Sequence, residues 1–411
     1  MAGINTGDTA WMLISTALVM LMTPGLAFFY GGLVRRKNVL SIMMQCFMLV
    51  GVISIQWVLF GYSLAFGPDH WGIIGGLSWA GLHGVGLTPN PNYGATIPHE
   101  LFMVYQMMFA IITPALIIGA FAERMKFSAF LIFSLLWATI IYDPVAHWMW
   151  GAGGLLHHLG ALDFAGGAVV HISAGSAALA AALVIGKRKT YPELSPPHNL
   201  PFAILGAGLL WFGWFGFNGG SALSSGAVAV SAFVATQMAA AAAATAWAVL
   251  EWILGKKPTM LGTISGAIAG LATITPASGY VTPLGALGIG ALAGAVCYAS
   301  VVVVKAKLGY DDALDAFGVH GVGGALGVLL VGFWATKVVN PAGANGLFHG
   351  GGTQVLYQLV ALVCVGLYSF ALSWGLLKLV DKLVGLRVPS DHENIGLDLT
   401  QHSESAYTLV G

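Results

Sequence analysis

Eleven apolar runs, most of them close to the ~20 residues that an α-helix needs to cross a bilayer, leave this chain few folds to choose from. In hydrocarbon every backbone N–H and C=O has to be satisfied inside the protein, so each run is read as a helix. The expected spans lie near 9–34, 39–66, 100–122, 127–148, 163–186, 200–219, 226–254, 260–275, 281–306, 315–336 and 353–381, the eighth being short and rich in glycine. Only 8% of the 411 residues are charged, against about a quarter in a soluble domain. Sixteen basic residues balance sixteen acidic ones, without the clustered positive surplus that nucleic acid requires of a partner. The fold class is an all-α polytopic membrane protein whose partner is the lipid bilayer. The opening residues MAGINTGDTAW lack the basic region of a cleavable signal, so the first run is read as a retained span.

The basic residues show which way the helices run. They fall at 35–37, Arg124 and Lys126, 187–189, Lys256 and Lys257, Lys305 and Lys307, and Lys378, Lys382 and Arg387, each cluster near the end of an odd-numbered span. Cytoplasmic loops carry the excess of Lys and Arg, which places the N-terminus outside and the C-terminus inside. Lys337 alone breaks the pattern. One membrane domain is expected over 1–385 and a cytoplasmic tail over 386–411, in a multi-pass protein of a prokaryotic cytoplasmic (inner) membrane.

An internal echo divides the spans. The fifth opens as DFAGGAVVH at 163–171 and the tenth as DAFGVH at 315–320. Five spans per half, about 9–186 and 200–336, make the second half run opposite to the first, an inverted repeat with the eleventh helix added. The functional site of such an architecture lies near the midplane between the halves. Counted at ~1.5 Å per residue from each Asp, His171 and His320 stay roughly 10 Å apart unless the helix starts are submerged.

Ionisable groups inside a span are costly and usually line a path or meet a partner, so His171, His320 and Asp163 are candidates for a pore. The plain alternative for either histidine is a hydrogen bond to a neighbouring helix. Asp315 is read as a helix cap, and Asp163 as either a cap or a carboxylate that favours an incoming cation. Phe109, Trp150, Trp214, Phe217 and Ser221 lie toward the outer ends of spans three, four and six. Each aromatic taken singly is a packing residue; together they suit a small protonated amine, because an aromatic face attracts a cation by about 1–2 kcal/mol and a hydroxyl accepts one N–H bond. The three cysteines lie in apolar runs and are read as packing residues. No HExxH or Cys/His spacing calls for a metal, so no metal, no cofactor and no enzymatic role is expected, and a membrane metalloenzyme built on His157, His158, His171 or His320 is the weaker rival.

Long motifs carry a resemblance. PGLAFFYGGLVRRKNVLS at 24–41, GAFAERMKFSA, GALDFAGGAVVHI, GWFGFNGGS, SGAIAGLATITPASGY, DAFGVHGVGG and LRVPSDHENIGLDLTQHSESAY at 386–407 are similar to the ammonium transporters of the Amt/Mep/Rh superfamily, bacterial and archaeal Amt type. The resemblance covers nearly the whole chain and implies a homotrimer of eleven-helix subunits, each with its own pore. By resemblance, Phe109, Trp150 and Ser221 look like an outer ammonium recruitment site, with Tyr105 where some members have Phe. Phe109 and Phe217 look like the stacked gate beneath it, with Trp214 in the pore wall. His171 and His320 look like twin histidines sharing a hydrogen bond, and Asp163 like the buried acid that supports recruitment and deprotonation. The tail, with Gly396–Asp398 and Tyr407, resembles the segment that PII-type regulators engage.

The implied activity is conduction of ammonium, as ammonia with or without its proton, with methylammonium as analogue. Stripping the proton spares the desolvation of a bare ion, and potassium has no proton to give. Two other readings remain: an ammonium sensor without net flux, and a gas channel of the Rh type, against which Trp150 and Ser221 argue.

Overall fold

The computed structural model describes residues 3–193, 196–255 and 257–407. Lys256 of the fourth basic cluster and the last four residues of the tail lie outside the described residues. The helices follow the apolar runs closely: α1 Thr6–Leu33, α2 Arg36–Phe66, α3 His99–Phe121, α4 Phe127–Leu159, α5 Gly167–Ile185, α6 Leu200–Gly220 and α7 Ala227–Ile253. After them come α8 Met260–Ile274, α9 Pro283–Leu308, α10 Phe317–Trp334, α11 Thr353–Val384, and the short α12 Ser390–Ile395 and α13 Leu397–His402. Among the described residues ten helices are long and apolar enough to cross a membrane, and α8, with 15 residues, is shorter. Against a ~30 Å hydrocarbon slab its roughly 23 Å is short, and buried turns from Thr275 to Gly279 continue it.

α3 is buried along nearly its whole length, packed chiefly against α1, α2 and α5, whereas α11 turns most of its surface outward. Five helices contain a π-turn: Trp57–Gly61 in α2, Ala138–Tyr142 in α4, Gly167–Ile172 in α5, Ala299–Val304 in α9 and Phe317–Gly321 in α10. Those in α4 and α9, and those in α5 and α10, occupy matching places in the two series of five. A π-turn inserts one residue and frees a carbonyl, which rotates the helix beyond it.

The structure corrects the cap of α10. Asp315 has a positive φ of 61° and its carboxylate pairs with Lys305 instead of capping. Asp312 does the capping, accepting the backbone N–H of Ala316 at 3.2 Å and of Phe317 at 2.7 Å. The physical reason lies in the turn: left-handed backbone at 315 swings that side chain away from the helix start, while Asp312 reaches it across the turn. With Asp312 in place of Asp315 the echo tightens, because Asp163 precedes His171 by eight residues and Asp312 precedes His320 by eight.

One end of the bundle gathers the basic clusters into a bonded floor. Arg35 and Arg188 pair with Glu123, Arg188 also pairs with Asp311, and Arg124 donates to the carbonyls of Ala120, Ala122, Gly186 and Asp311. Burial alone would raise the Glu123 carboxyl, but the guanidinium groups of Arg35 and Arg188 hold it below its ordinary value. The tail runs along this floor, with Val388 N–H donating to Arg124, Leu397 N–H to Asn38, and Asp398 accepting from the Ser41 N–H at 2.8 Å. At the other end lie the 67–99 loop, with its hairpin of β1 Asp69–His70 and β2 Ile74–Gly75, and Lys337.

Candidate functional site

At the end away from the basic floor a vestibule of about 610 Å³ opens between Trp150, Asp163, Gln106, Ser221 and the 340–344 loop. Its floor is aromatic. Phe109 lies 4.2 Å, ring centroid to ring centroid, from Phe217 and 5.9 Å edge-on from Trp150, and both phenylalanines are buried. Trp150 is steered by its indole N–H, which donates to the Asp163 carbonyl at 2.8 Å.

Ser221 ends α6, and its hydroxyl donates to the Phe217 carbonyl at 2.9 Å. That donation commits the hydroxyl hydrogen and leaves the oxygen as an acceptor. Tyr105 sits 3.2 Å from Ser221 Oγ while its own hydroxyl reaches the carbonyls of Gly216 and Phe217, so it braces the C-terminal turn of α6 from α3.

Below the phenylalanines a throat of about 10 Å³, roughly the room one water needs, is lined by Trp214, Phe217, His171, His320 and aliphatic side chains including Leu26, Ile112, Val170 and Ile268. Trp214 donates to Thr275 Oγ1 at 2.9 Å, which turns its ring along the throat, and stacks on His171 at 5.6 Å. The imidazoles of His171 and His320 lie 5.2 Å apart, centroid to centroid, with planes only 11° from parallel. Both ring nitrogens of His171 and Nδ1 of His320 are buried without a hydrogen-bond partner in the protein. The hydrogen bond that the resemblance implied between the rings is therefore not formed in this arrangement, and the nitrogens stay available to whatever enters the throat.

The rings meet because glycines let their helices nearly touch. A Cβ on Gly175 would fall 2.2 Å from the backbone of Gly321, and one on Gly324 would fall 2.7 Å from Cβ of His171. Close approach through small residues is the usual means of packing helices in lipid. The helix starts are also submerged: Asp163 is 6% exposed and Asp312 fully buried. Both conditions remove the gap expected from counting along the chain.

Asp163 is a cap. Its Oδ1 accepts the N–H groups of Gly166 and Gly167, and its Oδ2 those of Ala168 and Val169, at 2.6 to 3.1 Å. Four donors converge on one carboxylate where a left-handed Gly166, φ 114°, feeds the chain into the π-turn of α5. Asp312, Thr275 and Gln106 escaped the sequence reading; the eight-residue interval to His320 was the available signal for Asp312, whereas nothing local marks Thr275 or Gln106. Among the described residues no group of three or more His, Cys, Asp or Glu is placed to hold a metal.

A bundle of apolar helices around a narrow histidine-bearing throat, opening through an aromatic floor into a wide vestibule, defines a membrane channel or transporter for a small polar solute. The sequence model of the Ammonium Transporter Family matches residues 10–407, and the chain belongs to that family. An ammonium transporter of Bacillus subtilis is 56% identical over 404 residues, 98% of this chain and 99% of the relative. The crystal structure of Candida albicans Mep2 is similar with a TM-score of 0.90 at 36% identity, covering 98% of this chain and 91% of that one. A structure described as a Sensor Amt Protein matches with a TM-score of 0.89 at 30% identity, covering 96% and 98%. Its relatives are transporters and not enzymes.

Proposed function

We propose that the chain transports ammonium across a prokaryotic cytoplasmic membrane by recruiting the ion at the vestibule floor, deprotonating it and conducting ammonia past His171 and His320. The observation that carries this reading is the throat itself: two buried imidazoles with unpartnered nitrogens, under a phenylalanine pair, in a space no larger than one water. Trp150 and Phe109 attract the cation through their faces, and the Ser221 oxygen accepts one of its N–H bonds. Desolvating a bare ion in such a throat costs far more than passing a neutral amine, which also explains rejection of potassium. Asp163 favours the cation through space with its fixed charge, its lone pairs being held by the α5 backbone.

The same reading assigns eleven crossings in two inverted five-helix halves plus α11, N-terminus outside and basic floor inside. The matched π-turns and the matched Asp-to-His intervals support it. The membrane domain spans 1–385, the tail 386–411 lies on the cytoplasmic floor, three copies assemble with one pore each, and a PII-type regulator meets the tail. A second reading, an ammonium sensor, is favoured by the likeness to the Sensor Amt Protein. An Rh-like gas channel is disfavoured by Trp150 and Ser221.

Ammonium or methylammonium uptake into proteoliposomes, with potassium as control, tests the proposal. Saturable uptake that excludes potassium is expected. Binding without flux would replace transport by sensing, and an ammonium-evoked current would show that the proton follows.

A further inference from the structure

α11 stands outside the two series of five helices and turns most of its surface outward, yet it carries two amides on its buried face. Gln354 and Gln358, one helical turn apart, are 3% and 0% exposed. Further along the same face the buried residues are smaller: Ala361, Val365 and Ser369. A buried amide is costly unless its hydrogen-bonding positions are used, and a small apolar residue packs such a face without that cost. Gln358 uses all four positions. Its Oε1 accepts the Leu162 N–H at 2.6 Å and the Gln354 amide at 3.1 Å, and its Nε2 donates to the carbonyls of Leu162 at 2.7 Å and Val328 at 3.0 Å.

One side chain thereby takes both backbone groups of Leu162, and Gln354 adds a bond from its amide to the Gly160 carbonyl at 2.9 Å. The segment held in this way joins α4 to α5 outside any helix, where its backbone groups have no helical partners of their own. Gly160 ends α4 with a left-handed φ of 92°. The carbonyl of Leu162 belongs to the peptide plane that leads into Asp163, whose own carbonyl accepts the Trp150 indole N–H at 2.8 Å and whose carboxylate caps α5. The bond at its nitrogen sets the plane of the Trp150 indole, the place of the Asp163 carbonyl sets that bond, and α11 holds the residue before it.

We propose that Gln358 is a positioning residue for the cation at the vestibule floor: from α11 it fixes the 160–163 segment and, through the Asp163 carbonyl, the indole of Trp150. This rests on the ammonium-transport reading above. Gln358 is not among the residues that line the vestibule or the throat, so it acts on the solute only through Trp150. What it governs is the angle and distance at which the indole face meets the cation, and cation–π attraction depends on both.

The test is concentration-dependent methylammonium uptake by the full chain in proteoliposomes for wild type, Gln358→Met, Trp150→Ala and the double variant, with hydrogen–deuterium exchange of the 160–163 segment in the same preparations. Methionine fills the place of the glutamine without its hydrogen bonds. Gln358→Met is expected to speed exchange in the segment and to raise half-saturation about three- to tenfold, up to the whole effect of losing the Trp150 face, with maximal uptake little changed. In the Trp150→Ala background it should raise half-saturation no further, because both changes remove one interaction. A fall in maximal uptake with wild-type half-saturation marks a merely structural role and overturns the inference, as does unchanged exchange or a rise that adds to that of Trp150→Ala. If Gln358→Met does not fold, Gln354→Met, which loses the bonds to Gly160 and Gln358, decides by the same readouts with a smaller rise. Faster exchange in the variant beside no uptake by the wild type would overturn the transport reading and this role with it, whereas wild-type uptake with unchanged half-saturation in the variant overturns this inference alone.

Discussion

The two ends of the bundle are built on opposite terms. At the basic end the charges are tied to one another: Glu123 is shared by Arg35, Arg188 and Asn38, and Asp311 is clamped by Arg188 at 2.8 Å. At the vestibule end polar side chains such as Gln106, Asp163, Ser221 and Asn340 face an open space, and the rings beneath meet edge-on or tilted. One end spends its charge on holding loops together, and the other keeps its acceptors and aromatic faces for a solute. Substitutions at the two ends should therefore separate into losses of stability and losses of transport.

The largest effect is expected at the floor. Arg188→Leu leaves Asp311 and part of Glu123 buried without their guanidinium, and should lower the unfolding free energy by about 3–5 kcal/mol, read as thermal unfolding of the detergent-solubilised protein. Protein that remains folded should keep wild-type half-saturation. In the throat, His171→Ala and His320→Ala should each reduce selective methylammonium flux by about a hundredfold or release its selectivity, while leaving thermal unfolding little changed. Unchanged selective flux in either would remove the histidines from the mechanism.

Trp150→Ala should raise the half-saturation concentration about tenfold, the worth of one cation–π contact at a partly desolvated site, with a smaller change in maximal rate. A smaller difference sharpens the corrected cap: Asp312→Ala should cost about 1–2 kcal/mol of stability through the lost α10 cap. Asp315→Ala, which removes only a partly exposed pair with Lys305, should cost less than about 1 kcal/mol.

Acid offers a last separation. Burial opposes ionisation of Glu123 and Asp311, yet their arginines hold both carboxyls below the ordinary values of 4.5 and 3.8. A carboxyl lowered in the folded state contributes stability that is complete above its unfolded value and is lost as pH falls through the folded one. Thermal stability should therefore hold from neutrality down to about pH 5 and decline below about pH 4, with Arg188→Leu reducing that decline.

Much of this protein is readable from local order. Hydrophobic runs at helical length set the helix bounds to within a few residues except at the end of α4, which runs on to Leu159, because a backbone in lipid has no alternative way to satisfy its N–H and C=O groups. The distribution of Lys and Arg anticipated a single basic face, which the ion pairs of Arg35, Arg188 and Lys305 and the contacts of Arg124, Lys126 and Arg387 bring together. Aromatic and histidine positions in the site were visible as types at particular depths.

Tertiary structure decided the rest. The cap of α10 belongs to Asp312 because of a left-handed turn at 315 that no residue type announces. Thr275 became the acceptor of Trp214 across 61 residues, and Gln56 the partner of Asp143 across 87, since hydrogen bonds between helices depend on rotation about each axis. The two imidazoles lie face to face because Gly175 and Gly324 admit a neighbouring backbone at contact distance. Spacing along a chain gives depth in the membrane; azimuth and approach are set only when all the helices pack at once.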